Sequence, residues 1–350
     1  MTKKGEGVIG LTDTGGEIDR RKNHTMLYIT QFVNGQRVQE TYLVRKISVG
    51  KTKAGKDYWN VVLSDSTGTI DGKIWNPSEP SIGKFDELDY VAVSGDIQEY
   101  KGELQMVIHS ASRVDSSLVD QADYMPSSKK NINRMYSEVL EIINSISTPY
   151  FKELLLSFYD DPVLAPEFQR HSAAKTVHHS FVGGLLEHTL SVTKLCDQFA
   201  KHYLHLNRDL LVTAALLHDV GKVYELNDFP ANDYTDEGQL LGHIYIGAHL
   251  VENRCNTIEG FPEVRKNELI HCILAHHGEL EFGSPKKPSL AEAIALSFAD
   301  NLDAKMETFF EAAASNRPDG LDYHWIGFNK FLDANIRKTS PEGFEGTIRT

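Results

Sequence analysis

Apolar and polar residues alternate along the first third of the chain and then give way to a helical period. Between residues 27 and 115 the runs "TYLVRKISVG", "DYWNVVLSD", "GTIDGKIW", "DYVAVSGDIQEY" and "ELQMVIHSASRV" each read as a strand, separated by turns containing Gly and Asp. Within these runs, alternation puts Trp59, Val61 and Leu63 on one side and Tyr58 and Asn60 on the other. Ile70 and Ile74 point inward, so Lys73 and Trp75 point outward together. Beyond Ser116 the stretch "SSLVDQADYMPSSKK" is polar and holds a Pro and paired Ser. From Asn131 onward apolar residues recur three and four apart in "RMYSEVLEIINSI", "PYFKELLLSFY", "GGLLEHTLSVTKLCDQFAKHY", "DLLVTAALLHDV", "GHIYIGAHLVENRC", "PEVRKNELIHCILAHHG" and "SLAEAIALSFADNLDAKMETFFEAAA".

The pattern predicts a multidomain chain: an N-terminal all-β barrel, then an all-α domain. Five short strands at this spacing fit a barrel of the OB type over residues 26–116. Residues 117–130 read as a linker, 131–316 as the helical domain, 1–25 as a flexible leader, and 317–350 as a tail without an assigned role. A length of 350 residues suits two domains. No apolar run approaches the ~18 residues that cross a membrane, and no signal peptide is recognisable. Cys196, Cys255 and Cys272 are scattered and outside any CxxC, so they read as buried thiols of a reducing compartment, the cytoplasm. The net charge of −13 argues against a general polyanion binder. Its distribution is uneven: residues 1–128 hold 15 basic and 18 acidic residues, net −3, and the remainder 21 and 31, net −10. Contact with nucleic acid should therefore be local to the front half, and the acidic back half suits divalent cations.

"LLVTAALLHDVGKVYEL", residues 210–226, raises a chemical question. It runs apolar at helical spacing through Leu211, Ala214 and Ala215 and then presents His218 and Asp219, with Gly221 and Lys222 following. A buried charge costs several kcal/mol unless it is paired or metal-bound. Partners are available elsewhere. His188 falls inside the stripe of Leu185, Val192, Leu195 and Phe199; His243 opens a later helix; His276 and His277 close another; Asp300 shares a face with Ile294, Ser297 and Asn301. Each sits at a buried or terminal position of a separate helix, so all can converge. Any one of these histidines alone reads as a core residue, but the ordered set mixes imidazoles and carboxylates in the way that suits Mn²⁺, Fe²⁺ or Zn²⁺.

"HDVGK", with His upstream and Asp downstream, resembles the HD superfamily of metal-dependent phosphohydrolases. With "HHSFVGGLLEHT", "GHI", "LAHHGELEFGSPKKP" and "FADNLDAKM" behind an OB barrel, the chain looks like the YhaM-type 3′-to-5′ exoribonucleases over about residues 40 to 310. The resemblance implies a first metal held by His188, His218, Asp219 and Asp300, and a second, bridged by Asp219, held by His243 and His276. His277 is then either a further ligand or a phosphate contact. Two ions are implied, Mn²⁺ foremost, with Fe²⁺, Zn²⁺ or Co²⁺ as alternatives. Lys222 is placed to neutralise a phosphate oxygen as charge develops. His178 and His179 read either as substrate contacts or as helix capping, and Lys286 and Lys287 as a phosphate contact or an exposed turn.

On the barrel side, "VRKISVGKTKAGK" carries Arg45, Lys46, Lys51, Lys53 and Lys56 without an acidic residue and joins the first two strands, where OB barrels take up single strands. With Tyr58, Lys73 and Trp75 these make a candidate surface for single-stranded RNA, single-stranded DNA being left open. Packing of Trp75 at a domain interface is the competing reading. Three functions compete: a two-metal 3′-to-5′ exoribonuclease, an HD phosphodiesterase or nucleotidase acting on small nucleotides, and a non-enzymatic OB protein with a structural metal. The full ligand set and Lys222 disfavour the third, and the basic segment favours a polymer over a small nucleotide.

Overall fold

The computed structural model describes residues 26–340, apart from 53, 126, 176–180 and 316–324. The leader, His178, His179, Lys53 and part of the tail therefore lie outside the described residues. The chain forms two compact units, residues 1–124 and 125–350.

The first unit is a closed barrel of β1 (Arg37–Lys51), β2 (Asp57–Asp65), β3 (Gly68–Ile74), β4 (Tyr90–Tyr100) and β5 (Glu103–Val114), in the order β1-β2-β3-β5-β4. β1 serves two neighbours. Its first half, to Leu43, pairs with β4, and from Leu43 onward it pairs with β2, with a bulge between Val44 and Lys46. Such a bulge bends a strand and lets a small sheet close. The parallel pairing of β3 with β5 completes the ring. Tyr42, Leu43, Leu63, Ile74, Ile97 and Met106 are fully buried, and Met26, Ile29 and Phe32 join the same core. The linker expected over 117–130 begins later than the sequence suggests. Tyr124 is buried against Tyr90, and Asp123 accepts a 2.8 Å hydrogen bond from the Tyr28 hydroxyl, so the segment to Tyr124 packs on the barrel.

The second unit is helical: α1 (Ile132–Asn144), α2 (Pro149–Tyr159), α3 (Leu164–Arg170), α4 (Gly184–His202), α5 (Arg208–Leu217), α6 (Lys222–Glu225), α7 (Asp236–Thr257), α8 (Glu263–Leu274) and α9 (Ala291–Ser315). A hairpin of β6 (Trp325–Asn329) and β7 (Ala334–Arg337) follows, giving the described part of the tail a structure. Asn131, Asn207 and Thr235 cap α1, α5 and α7 through their side chains, each cap worth about 1 kcal/mol. α5 is the axis of the unit: every residue from Leu210 to Leu217 is buried, the signature of a central helix. Its four leucines each contribute roughly 2–3 kcal/mol by burial, which fixes the point where the helix ends. His218 and Asp219 come directly after that point.

Candidate metal centre

The end of α5, α7 just past its kink at Gly242, the end of α8, the second turn of α4 and the middle of α9 bring seven of the sequence-expected residues together. His188, His218 and Asp300 form one group and His243, His276 and His277 a second, with ligand atoms in each within 4.8 Å of one another. Asp219 stands between them. Its Oδ2 lies 3.4 Å from His188 Nε2 and 3.3 Å from His218 Nε2. Its Oδ1 lies 3.4 Å from His243 Nε2 and 3.6 Å from His276 Nε2. Asp300 Oδ1 is 3.1 Å from His188 Nε2.

Every imidazole is turned the same way by a partner on its Nδ1. Carbonyl oxygens of Ala215, Ile273 and Phe282 lie 2.8, 2.6 and 2.8 Å from Nδ1 of His218, His276 and His277. Asp303 holds His188 Nδ1 at 2.7 Å and Glu225 holds His243 Nδ1 at 3.0 Å. Nδ1–H donation to these acceptors leaves the Nε2 lone pairs facing inward, the arrangement that orients metal-ligating histidines.

The donor set fits divalent cations on a further ground. Asp219 Oδ1, His243 Nε2 and His276 Nε2 are buried without a hydrogen-bond partner among the described residues. Orphaned buried acceptors are costly, and a cation satisfies all three at once. The charge state agrees. Burial opposes ionisation of Asp219, yet Lys222 and His218 hold it well below the usual carboxylate range. Burial and the neighbouring His277 push His276 far below the ordinary imidazole value, and burial with His243 lowers His277, so both rings are neutral and able to donate a lone pair. His188 differs: burial lowers it, but Asp300, Asp303 and Asp219 raise it to about 10. Without another cation those carboxylates keep a proton on the ring.

Gly221 explains how α7 comes so close. A Cβ there would sit 2.1 Å from the backbone oxygen of His243 and 2.6 Å from the nitrogen of Gly247. Only glycine lets the two backbones cross and deliver His243 to Asp219.

Lys222 Nζ lies 2.7 Å from Asp219 Oδ2 and is mostly buried. It lines a cavity of about 450 Å³ with His188, His277, Asp300, Asn301 and Lys305, and with Phe282 and Phe331 among the other walls.

On the barrel, the Tyr58 and Trp75 rings are 5.0 Å apart, and Lys73 Nζ stands 5.9 Å from the Tyr58 ring centre. Lys73 also donates to Asn60 across the β2–β3 pair. The outward placement read from alternation therefore holds, with Trp75 45% exposed. Gly50 makes room for this pair, since a Cβ there would lie 2.5 Å from the Tyr58 ring. The basic segment needs correction. Arg45 and Lys46 belong to β1, within the strand read over 41–50. Arg45 is turned partly inward, donating to Ser64 Oγ at 3.0 Å, so it is not a free contact of the segment. Lys51 and Lys56 are exposed, Lys51 lying 3.9 Å from Asp57.

Residues 185–305 match the HD domain family, and residues 43–114 match the OB-fold nucleic acid binding domain family. The chain is 32% identical over 294 residues to the 3′-5′ exoribonuclease YhaM of Geobacillus sp. (strain WCH70), covering 83% of this chain and 89% of that one. The chain belongs to the YhaM family of 3′-5′ exoribonucleases. It joins an HD phosphohydrolase domain to an OB barrel, and no helix among its described residues is long and apolar enough to cross a membrane. Two solved structures resemble part of it. The second OB-fold domain of replication protein A from Methanococcus maripaludis is 16% identical, with 27% of this chain and 100% of that chain covered and a TM-score of 0.21. A replication protein A heterotrimer bound to ssDNA is 18% identical, with 27% and 70% covered and a TM-score of 0.20.

In this YhaM-family chain, sequence reasoning passed over the carboxylates behind the histidines. Asp303 lies three residues past Asp300 on the same face of α9, and Glu225 three past Lys222. That spacing was the available signal. Lys305 and Phe331, both on the cavity wall, were also unassigned. Lys287 of the "SPKKP" loop pairs with Glu279 at 2.5 Å, which favours the exposed-turn reading.

Proposed function

We propose that this chain degrades single-stranded RNA from its 3′ end at a centre of two divalent cations. His188, His218 and Asp300 would hold one and His243, His276 and His277 the other. The observation that carries this is Asp219, whose two oxygens each face one of these groups. When bound, the cations supply Lewis acidity and lower the pKa of water beside the scissile phosphate. Mn²⁺ suits the mixed imidazole and carboxylate set. Lys222, kept charged by Asp219 against its burial, is the group that balances negative charge growing on the phosphate. Lys305 and Asn301 on α9 offer contacts to flanking phosphates from the cavity wall, and Phe282 and Phe331 offer apolar faces to bases.

The cavity has the dimensions of a small-ligand site and not of a duplex groove, which supports a substrate that enters as a single strand. Lys51, Lys56, Lys73, Tyr58 and Trp75 make the barrel a second RNA contact, in which aromatic rings stack on bases and lysines meet phosphates. The buried free thiols of Cys196, Cys255 and Cys272 suit the cytoplasm.

The test is incubation of the full chain and Mn²⁺ with a 5′-end-labelled oligoribonucleotide, and separately with a cyclic dinucleotide. Stepwise shortening of the labelled strand from its 3′ end is the result expected. Turnover of the cyclic dinucleotide alone, with the oligonucleotide intact, would overturn it.

A further inference from the structure

His171 poses a problem that the centre around Asp219 does not solve. It follows α3 directly, and the residue is 5% exposed. Its Nε2 lies 3.1 Å from the Leu226 carbonyl oxygen. A carbonyl only accepts, so Nε2 must carry hydrogen and donate. In the neutral ring Nδ1 then bears a lone pair. That nitrogen is buried and has no hydrogen-bond partner among the described residues. What faces it is not a donor but the carboxylate of Asp228, with Glu167 close by. Asp228 Oδ1 lies 3.5 Å away, and Glu167 completes a set whose ligand atoms all lie within 4.8 Å of one another. A lone pair set against a carboxylate is repulsive unless something positive stands between them, either a proton on Nδ1 or a metal ion. Burial holds His171 below the ordinary imidazole value, which favours the ring without the extra proton.

We propose that Glu167, His171 and Asp228 form a further divalent-cation site, separate from the centre around Asp219. One imidazole nitrogen and two carboxylate oxygens are the ligands that Zn²⁺ and Mn²⁺ accept. The site opens on a cavity of about 430 Å³, which leaves space for water to complete the coordination. Glu167 also pairs with Arg170 through Oε1, one of the two oxygens its carboxylate offers.

The position gives the site a structural task. His171 and Glu167 belong to the end of α3, and Asp228 to the segment between α6 and α7. That segment joins Lys222 and Glu225 on one side to His243 on the other. Leu226 pairs with Tyr234, the Asn227 N–H donates to Asp233, and Leu226, Asn232 and Asp233 bond to His171, Ser172, Ala174 and Lys175. A cation bridging α3 to Asp228 would add to these ties at Asp228.

The test is calorimetric titration of chelator-treated full-length protein with Zn²⁺, comparing wild type with a Glu167→Gln, Asp228→Asn double variant. These carboxylates are chosen because His171 is buried and its removal would disturb packing, whereas the Asp228 side chain is 65% exposed. Wild type is expected to bind one equivalent more than the variant, however many ions the Asp219 centre takes. The His171 Nδ1 resonance should shift on Zn²⁺ addition in wild type and not in the variant. Equal stoichiometry and affinity in the two proteins, or an Nδ1 resonance indifferent to Zn²⁺, would overturn the proposal. A failure of RNA degradation would leave this comparison intact, because it reads bound ions and not turnover.

Discussion

Asp303 and Glu225 touch no candidate metal position, yet they decide which nitrogen two of the histidines present. Ligand-orienting carboxylates of this kind are worth about 10–100-fold in metal affinity. An Asp303→Ala protein should therefore need about 10–100-fold more Mn²⁺ for half-maximal activity and regain most of its rate at saturating Mn²⁺. A rate loss that added Mn²⁺ does not restore would show that Asp303 acts otherwise. Gly221 makes a sharper case, because a methyl group there would meet the backbones of His243 and Gly247. Overpacking of this kind costs about 1–3 kcal/mol or more, so Gly221→Ala should lower the urea midpoint and weaken the ion held by His243 and His276. A native midpoint with an undiminished ion complement would contradict the crossing. The histidines and Asp300 were legible in sequence because each interrupts an apolar stripe or stands at the end of a helical run. Asp303 and Glu225 were not, since a charge near a helix end looks the same whether it meets solvent or a ring nitrogen.

At the scale of elements, strands and long helices follow from their periods, and the discrepancies have local causes. α3 went unrecognised because it is seven residues long and contains Pro166, leaving too few turns for a period to show. The basic run at 44–56 overlaps the strand read over 41–50, and β1 carries that strand one residue further, to Lys51. α3 also carries a prediction. Asp161 accepts from the backbone N–H groups of Leu164 and Val163 at 3.0 and 2.9 Å, and lies 2.9 Å from Arg254 Nη2. Those backbone bonds, with the guanidinium, hold its carboxyl down to about 2. A depressed folded value stabilises above the unfolded one, ~3.9, and the benefit is lost as pH falls from there through about 2. Asp161→Ala should thus cost about 1 kcal/mol near neutrality. Urea unfolding should find the gap to wild type closing below about pH 4; a gap constant down to the lowest pH would exclude the ionic origin. The hairpin β6–β7 brings Phe331 to the cavity wall. If Phe331 stacks on a base, worth roughly 1–3 kcal/mol, Phe331→Ala should raise KM for oligoribonucleotides about tenfold or more and leave kcat nearly unchanged. An unaltered KM would remove the hairpin from the substrate path.

For the molecule as a whole, the two units have separate cores, so the proposed division of RNA binding and cleavage between them can be tested by substitutions in one unit at a time. Phosphate contacts are lost with salt, at a slope of about −0.7 per contact on single strands. Changing Lys51, Lys56 and Lys73 together to Ala should flatten the salt dependence of RNA affinity by up to about 2 in that slope. The same change should leave hydrolysis of a bis-aryl phosphate untouched, and a parallel loss of both would mean that the barrel is needed for the chemistry itself. The division into barrel and helical unit was legible from the change of period near Ser116. The boundary was not, because Asp123 and Tyr124 are held to the barrel by tertiary contacts that no local pattern announces. The claim on which the rest depends is that one carboxylate joins two cations. The most direct measurement is RNA degradation by full-length Asp219→Ala in Mn²⁺, run beside its RNA affinity. Loss of turnover by at least about 10³-fold with affinity within a few-fold of wild type is the expected result, and near-normal degradation would contradict the two-cation centre.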